Sequence, residues 1–176
     1  MKIGIITLPL HNNYGGILQA YALQETLQRQ GHHAIVIDRS RFINLRPTVK
    51  LYNYCKRIIK KILFDRTTVI RWDKEYNKQA ELISVNTYPF IQKYIKRFEA
   101  KNDYSNIAKE DFDAFIVGSD QVWRPIYFGT DIISNAYLSF AKDWDVKRIS
   151  YAASFGTEDW EFTATKNAAW HVFFHY

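Results

Sequence analysis

Residues 2–8, KIGIITL, form a near-continuous apolar run rich in isoleucine, the pattern of a strand buried on both faces. A polar loop with Pro9, Asn12, Asn13, Gly15 and Gly16 follows. Residues 17–30, ILQAYALQETLQRQ, then predict a helix with Leu18 and Ala22 on one face and Ala20, Leu23 and Leu27 beside it. Gly31 stands just past its last turn, where a left-handed residue closes a helix. A second apolar run, AIVID at 34–38, completes a strand–helix–strand unit with parallel strands and a right-handed crossover. Residues 40–110 are helical by periodicity: Leu51, Tyr54, Cys55, Ile58, Ile59, Ile62 and Leu63 make a stripe that an ordinary helix packs on the sheet. Between 67 and 84 the pattern is ambiguous, with Trp72, Tyr76 and Ala80 at helical spacing. Another helix starts at a Thr87 cap with Pro89 in its first turn and buries Phe90, Ile91, Tyr94, Ile95 and Phe98. DAFIV at 113–117 and KRISYAA at 147–153 supply two more strands, so an α/β fold is expected, an open, mostly parallel sheet with helices on both faces.

Composition narrows the class. With 47% apolar residues and 29 aromatics in 176 positions, the chain is neither disordered nor low-complexity. One cysteine, Cys55, excludes an intramolecular disulfide and any cysteine-based zinc site. Lys2 and the apolar residues after it resemble a signal peptide only briefly, since Gly4, Thr7 and Pro9 interrupt the run. No stretch reaches membrane-spanning length, and a reducing cytoplasmic compartment is the default.

Charge is concentrated. Residues 46–66 hold Arg46, Lys50, Lys56, Arg57, Lys60, Lys61 and Arg66 against Asp65 alone, which gives +6, the net charge of the whole chain. The remainder is neutral, and no nucleic-acid-binding motif appears, so nucleic acid is not an expected partner.

In an open parallel sheet, ligands bind beyond the carboxyl ends of the strands. Three polar segments occupy such ends: His11–Gly16, Gly118–Trp123 and Ser154–Thr157. In HNNYGG, the glycines allow positive φ and close backbone approach, and the helix entrance offers unpaired N–H groups to an oxygen ligand. Alternatively, Asn13 caps the helix and the glycines only make the turn. The loop lacks the glycine fingerprint of a dinucleotide site and the Lys-Ser/Thr of a P-loop, which leaves Asp38 as a turn residue. In GSDQVW, Asp120 is the carboxylate best placed to orient a hydroxyl or accept its proton, Gln121 can read a hydroxyl, and Trp123 offers a flat face to a sugar. The plainer alternative makes Ser119 and Asp120 caps and Trp123 core. His11 is the one histidine on the expected active edge, and with Asp120 it is a catalytic candidate. No metal-ligand cluster emerges.

Taken in order, KIGIITL, NYGGILQAYALQ, GHHAIVID, DFDAFIVGSDQVW and KRISYAASFG resemble the N-terminal half of the polysaccharide pyruvyl transferase family over residues 1–162. The resemblance implies a Rossmann-like half of a two-domain enzyme similar in fold to GT-B glycosyltransferases. It also implies transfer of pyruvyl from phosphoenolpyruvate, the donor substrate, to a sugar, with no cofactor, in capsule or exopolysaccharide synthesis. Its substrate-binding positions fall on Asn13, Tyr14, Gly15, Gly16 and Gln19, then on Gly118, Ser119, Gln121 and Trp123, then on Ser154, Phe155 and Gly156, and Asn12 stands beside the first group as a further neutral donor and acceptor for substrate. Asp120 lies in the second group, and this half would face the acceptor, a sugar or lipid-linked glycan.

The expected domain is 1–160, with a basic helical insertion at about 42–105, and residues 161–176 read as the off-pattern tail of a chain cut short. Trp170, Phe173, Phe174 and Tyr176, with an uncovered face, then predict self-association without turnover. Rival functions are a GT-B-type glycosyltransferase half, a non-catalytic sugar- or partner-binding remnant and, more distantly, a flavodoxin-like nucleotide domain. Residues 50–64 could also touch an anionic membrane face peripherally.

Overall fold

The apolar runs become strands, and one strand appears that no apolar run announces. In a computed structural model describing residues 1–40, 42–118, 120–158 and 161, the strands are β1 (Lys2–Ile6), β2 (His33–Arg39), β3 (Arg97–Ala100), β4 (Ala114–Val117) and β5 (Lys147–Ser150). They form a single sheet in the order β3-β2-β1-β4-β5, and every neighbouring pair is parallel. The helices are α1 (Tyr14–Arg29), α2 (Pro47–Leu63), α3 (Trp72–Ile83), α4 (Tyr88–Tyr94) and the short α5 (Pro125–Phe128), with 3-10 turns at Ile133–Tyr137 and Ser139–Ala141. The chain divides into two units, Met1–Ser40 with Thr87–Tyr176, and Arg41–Asn86.

Alternation along the strands sends side chains to two cores. Ile5, Ala34 and Val36 meet Ile17 and Ala20 of α1 and Ile91 of α4. On the other face Ile6, Ile37, Phe115 and Val117 meet Val122, Phe128, Ile133, Ala136 and Ala141. Burying a side chain of this size contributes about 1.5–3 kcal/mol, so these two layers hold the sheet together. The mixed α/β fold with a parallel sheet flanked by helices is as expected.

Several local expectations are corrected. α1 begins at Tyr14, so Gly15 and Gly16 belong to its first turn and neither adopts a positive φ. Its buried face is Ile17, Ala20 and Gln24, while Leu18 and Ala22 are exposed. The helix closes as predicted, with Gly31 N–H on Gln28 O and His32 N–H on Leu27 O.

Phe98 lies in β3, not in the preceding helix. α4 stops at Tyr94 because Ile95 turns extended and Gln24 captures the next peptide. The Gln24 amide donates to Lys96 O at 2.7 Å, and its carbonyl accepts from Lys96 N–H at 2.9 Å. A glutamine side chain thus imitates a strand's peptide and starts β3. Gln24→Leu leaves Lys96 N–H without that acceptor, and a loss of about 1–2 kcal/mol is expected. Equilibrium urea unfolding checks it; an unchanged midpoint would show that Gln24 is dispensable.

In the Arg41–Asn86 unit, α2 meets α3 through its polar side. Tyr54 donates to Asp73 at 2.8 Å, Lys50 pairs with Asp73 at 3.3 Å, and Arg57 donates to Val69 O at 2.9 Å with its guanidinium over the Trp72 ring. Burial opposes the Asp73 charge, but the Tyr54 hydroxyl and Lys50 outweigh it and hold the carboxyl below its usual range. No residue of α2 is buried.

Candidate functional site

The first loop is tied down at its root and open at its tip. Asp38 sits inside β2, buried, and is not a turn residue. One of its carboxylate oxygens accepts from Leu10 N–H at 3.2 Å, and the other pairs with Arg97 at 3.1 Å. Burial pushes this carboxyl up, while Leu10 N–H and the Arg97 guanidinium pull it down. His11 is half-buried, and its carbonyl accepts from the Thr87 hydroxyl at 2.8 Å. Beyond it Asn12, Asn13, Tyr14 and Gly15 are exposed, as is Gln19 in the helix, while Gly16 is half-buried. Asn13 is the helix cap, its side-chain oxygen accepting from Gly16 N–H at 3.3 Å.

The second and third segments continue the pairing of β4 and β5 past the ends of both strands. Asp120 bridges to Ala153, Ser154 N–H donates to Asp120 O at 2.8 Å, and Trp123 N–H donates to Ser154 O at 3.3 Å. Gly118 approaches the segment after β5 so closely that a Cβ there would overlap the Tyr151 carbonyl oxygen. Gly156 is likewise covered by the Gln121 side chain. Asp120 takes a left-handed φ of 60°, uncommon outside glycine but tolerated by aspartate. Its contacts among the described residues run through its backbone, and its carboxylate belongs to a half-exposed residue. Ser119 lies outside the described residues.

Trp123 joins the core more than it offers a face. Its ring stacks on Tyr137 at 5.7 Å and packs against Phe155 at 5.6 Å, and its indole N–H donates to Ala136 O at 3.3 Å. Burial pushes the Tyr137 hydroxyl up, so it stays protonated. Ser154 and Gly156 are exposed beside this aromatic group.

One residue pair escaped the sequence reading. Arg124 donates twice to Glu161, at 2.7 and 2.9 Å, and once to Gln121 Oε1 at 3.0 Å. These hydrogen bonds raise the arginine and hold the Glu161 carboxyl below its ordinary range. Arg124 directly follows GSDQVW in the sequence, but its partner stands 37 residues away, and no local spacing announces it.

Because β1, β4 and β5 are parallel neighbours, the loops after them leave one edge of the sheet. Asn13–Gly16 opens α1 after β1, while the 118–124 and 153–156 segments are joined to each other. Among the described residues no group of three or more His, Cys, Asp or Glu gathers as for a metal ion. A family model described as polysaccharide pyruvyl transferase matches residues 13–171, which takes in the first loop from Asn13 onward and both later segments. The chain belongs to that family. The match corrects the expectation of a resemblance confined to an N-terminal half: it covers nearly the whole chain and runs well into the segment taken for an off-pattern tail. No curated protein and no solved structure matches the chain. Trp170, Phe173, Phe174 and Tyr176, the residues from which self-association is expected, lie outside the described residues. Membership of the polysaccharide pyruvyl transferases assigns a transferase-type activity at the family level.

Proposed function

We propose that this protein transfers pyruvyl from phosphoenolpyruvate to a sugar in capsule or exopolysaccharide synthesis, on the cytoplasmic side of the membrane. The observation that carries this is the family match over residues 13–171, which includes Asn13–Gly16 and both later segments at one edge of a parallel sheet. The strand order β3-β2-β1-β4-β5 suits a Rossmann-like, GT-B-like half, with the acceptor sugar at that edge. In the reaction an acceptor hydroxyl oxygen bonds to C2 of phosphoenolpyruvate, the C2–O bond to phosphate breaks, and C3 gains a proton. A second hydroxyl closes the ketal, its proton leaving with phosphate.

Asp120 is the proposed acceptor of the hydroxyl proton, with His11 as the second candidate for proton transfer. Asn12, Asn13, Gln121 and Ser154 hold neighbouring hydroxyls. Asp120→Asn keeps the left-handed backbone, because asparagine also tolerates it, and removes only the base. Phosphate release from phosphoenolpyruvate with acceptor glycans is expected to fall about 10²-fold or more, with unfolding unchanged. Equal rates for the two proteins would leave Asp120 as a turn residue. A nucleotide sugar consumed in place of phosphoenolpyruvate would move the assignment to glycosyl transfer.

A further inference from the structure

We infer that the Arg41–Asn86 unit docks on an anionic phospholipid bilayer through α2. The helix turns Lys50, Tyr54 and Arg57 toward α3 and leaves the opposite side open. Leu51, Ile58, Ile59, Ile62 and Leu63 stay exposed on this helix, as does Phe64 just past its end. Ile62 is 73% exposed and Phe64 81%. Seventeen residues make a rod of about 25 Å, apolar along one side and cationic along the rest. Such a helix is suited to lie in the plane of a bilayer interface.

Charge decides between the occupants. A second copy would cover the stripe, but it would bring two segments of +6 together. An anionic bilayer satisfies both sides at once, taking the isoleucines at the acyl boundary and the cations at the phosphates. A cavity of about 590 Å³ on the flank of α2 has this chemistry, with Lys56, Arg57 and Lys60 beside Ile59, Phe64 and Trp72. It has room for a phospholipid headgroup. Among the described residues no helix is long and apolar enough to cross the membrane, so the contact is interfacial.

Flotation of the full chain with phosphatidylcholine vesicles, with and without phosphatidylglycerol, tests the inference. Wild type is expected to float at least tenfold more with the anionic vesicles, and less as salt is added. A Lys56→Glu/Lys60→Glu variant and an Ile59→Ser/Ile62→Ser variant are each expected to lose at least tenfold. Isoleucines this exposed can change without unfolding the chain, which circular dichroism verifies; Leu51→Ser, at the other end of the stripe, repeats the test independently. Equal recovery with both vesicle types would overturn the inference, as would full binding by either variant. Release by inorganic phosphate at constant ionic strength would make the cavity a free-phosphate site instead. A lipid-free dimer dispersed by the isoleucine substitutions would show a second copy on the stripe.

Discussion

Gly118→Ala is expected to destabilise the protein by more than about 4 kcal/mol. Two penalties combine. Gly118 has φ 154°, which side chains rarely adopt, and the new Cβ would overlap the backbone oxygen of Tyr151. Backbone cannot swing aside as a flexible side chain can, so the pairing of β4 with β5 has to open. Gly31→Ala is the matching control. Its φ is +84°, with no atom within 4 Å of the added carbon, so it carries the strain alone, about 1–2 kcal/mol. Urea midpoints of the two variants separate overlap from strain. If Gly118→Ala proves no worse than Gly31→Ala, the close approach of the 118 and 151 segments is wrong.

Asp38→Ala comes next, at about 3 kcal/mol. It strips the acceptor from Leu10 N–H and leaves the half-buried Arg97 guanidinium without its partner. Asp38→Asn is expected to cost less, because an amide oxygen still accepts from Leu10. The pH dependence has a definite sign. Burial holds the folded carboxyl above its ordinary value, so the native state keeps a proton that the unfolded chain has released. This group's contribution is fully present below the ordinary carboxylate range, about pH 4, and declines as pH rises through the folded value. Thermal melts across that window should show wild type losing this increment and Asp38→Asn lacking the slope. The opposite slope would mean that Arg97 outweighs burial at this site.

The limits of the sequence reading follow from where each signal resides. β1, β2 and β4 are buried on both faces, and their apolar runs are visible without context. RFEA carries no such run: β3 exists because Gln24 and Asp38 reach it from distant positions. KRISYAA, read as a strand over 147–153, is one only over Lys147–Ser150, and all four of those residues are exposed. Periodicity located α2 but not its orientation, since a helical stripe records which residues share a side and not what that side meets. In the candidate site, the loops were legible because they end strands. The cap role of Asn13, the aromatic packing of Trp123 and the Arg124–Glu161 pair depend on contacts that local pattern does not encode.

The joined 120–123 and 153–156 segments also limit what kind of molecule this edge can grip. The Ser154 and Trp123 amides are already engaged by the opposite segment, the Gly16 amide by Asn13, and the Arg124 guanidinium by Glu161. Among the described residues, Asn12 and Ser154 stand exposed beside these engaged donors as neutral groups able both to give and to take a hydrogen bond. Under the function proposed above, such groups suit the hydroxyls of an acceptor sugar.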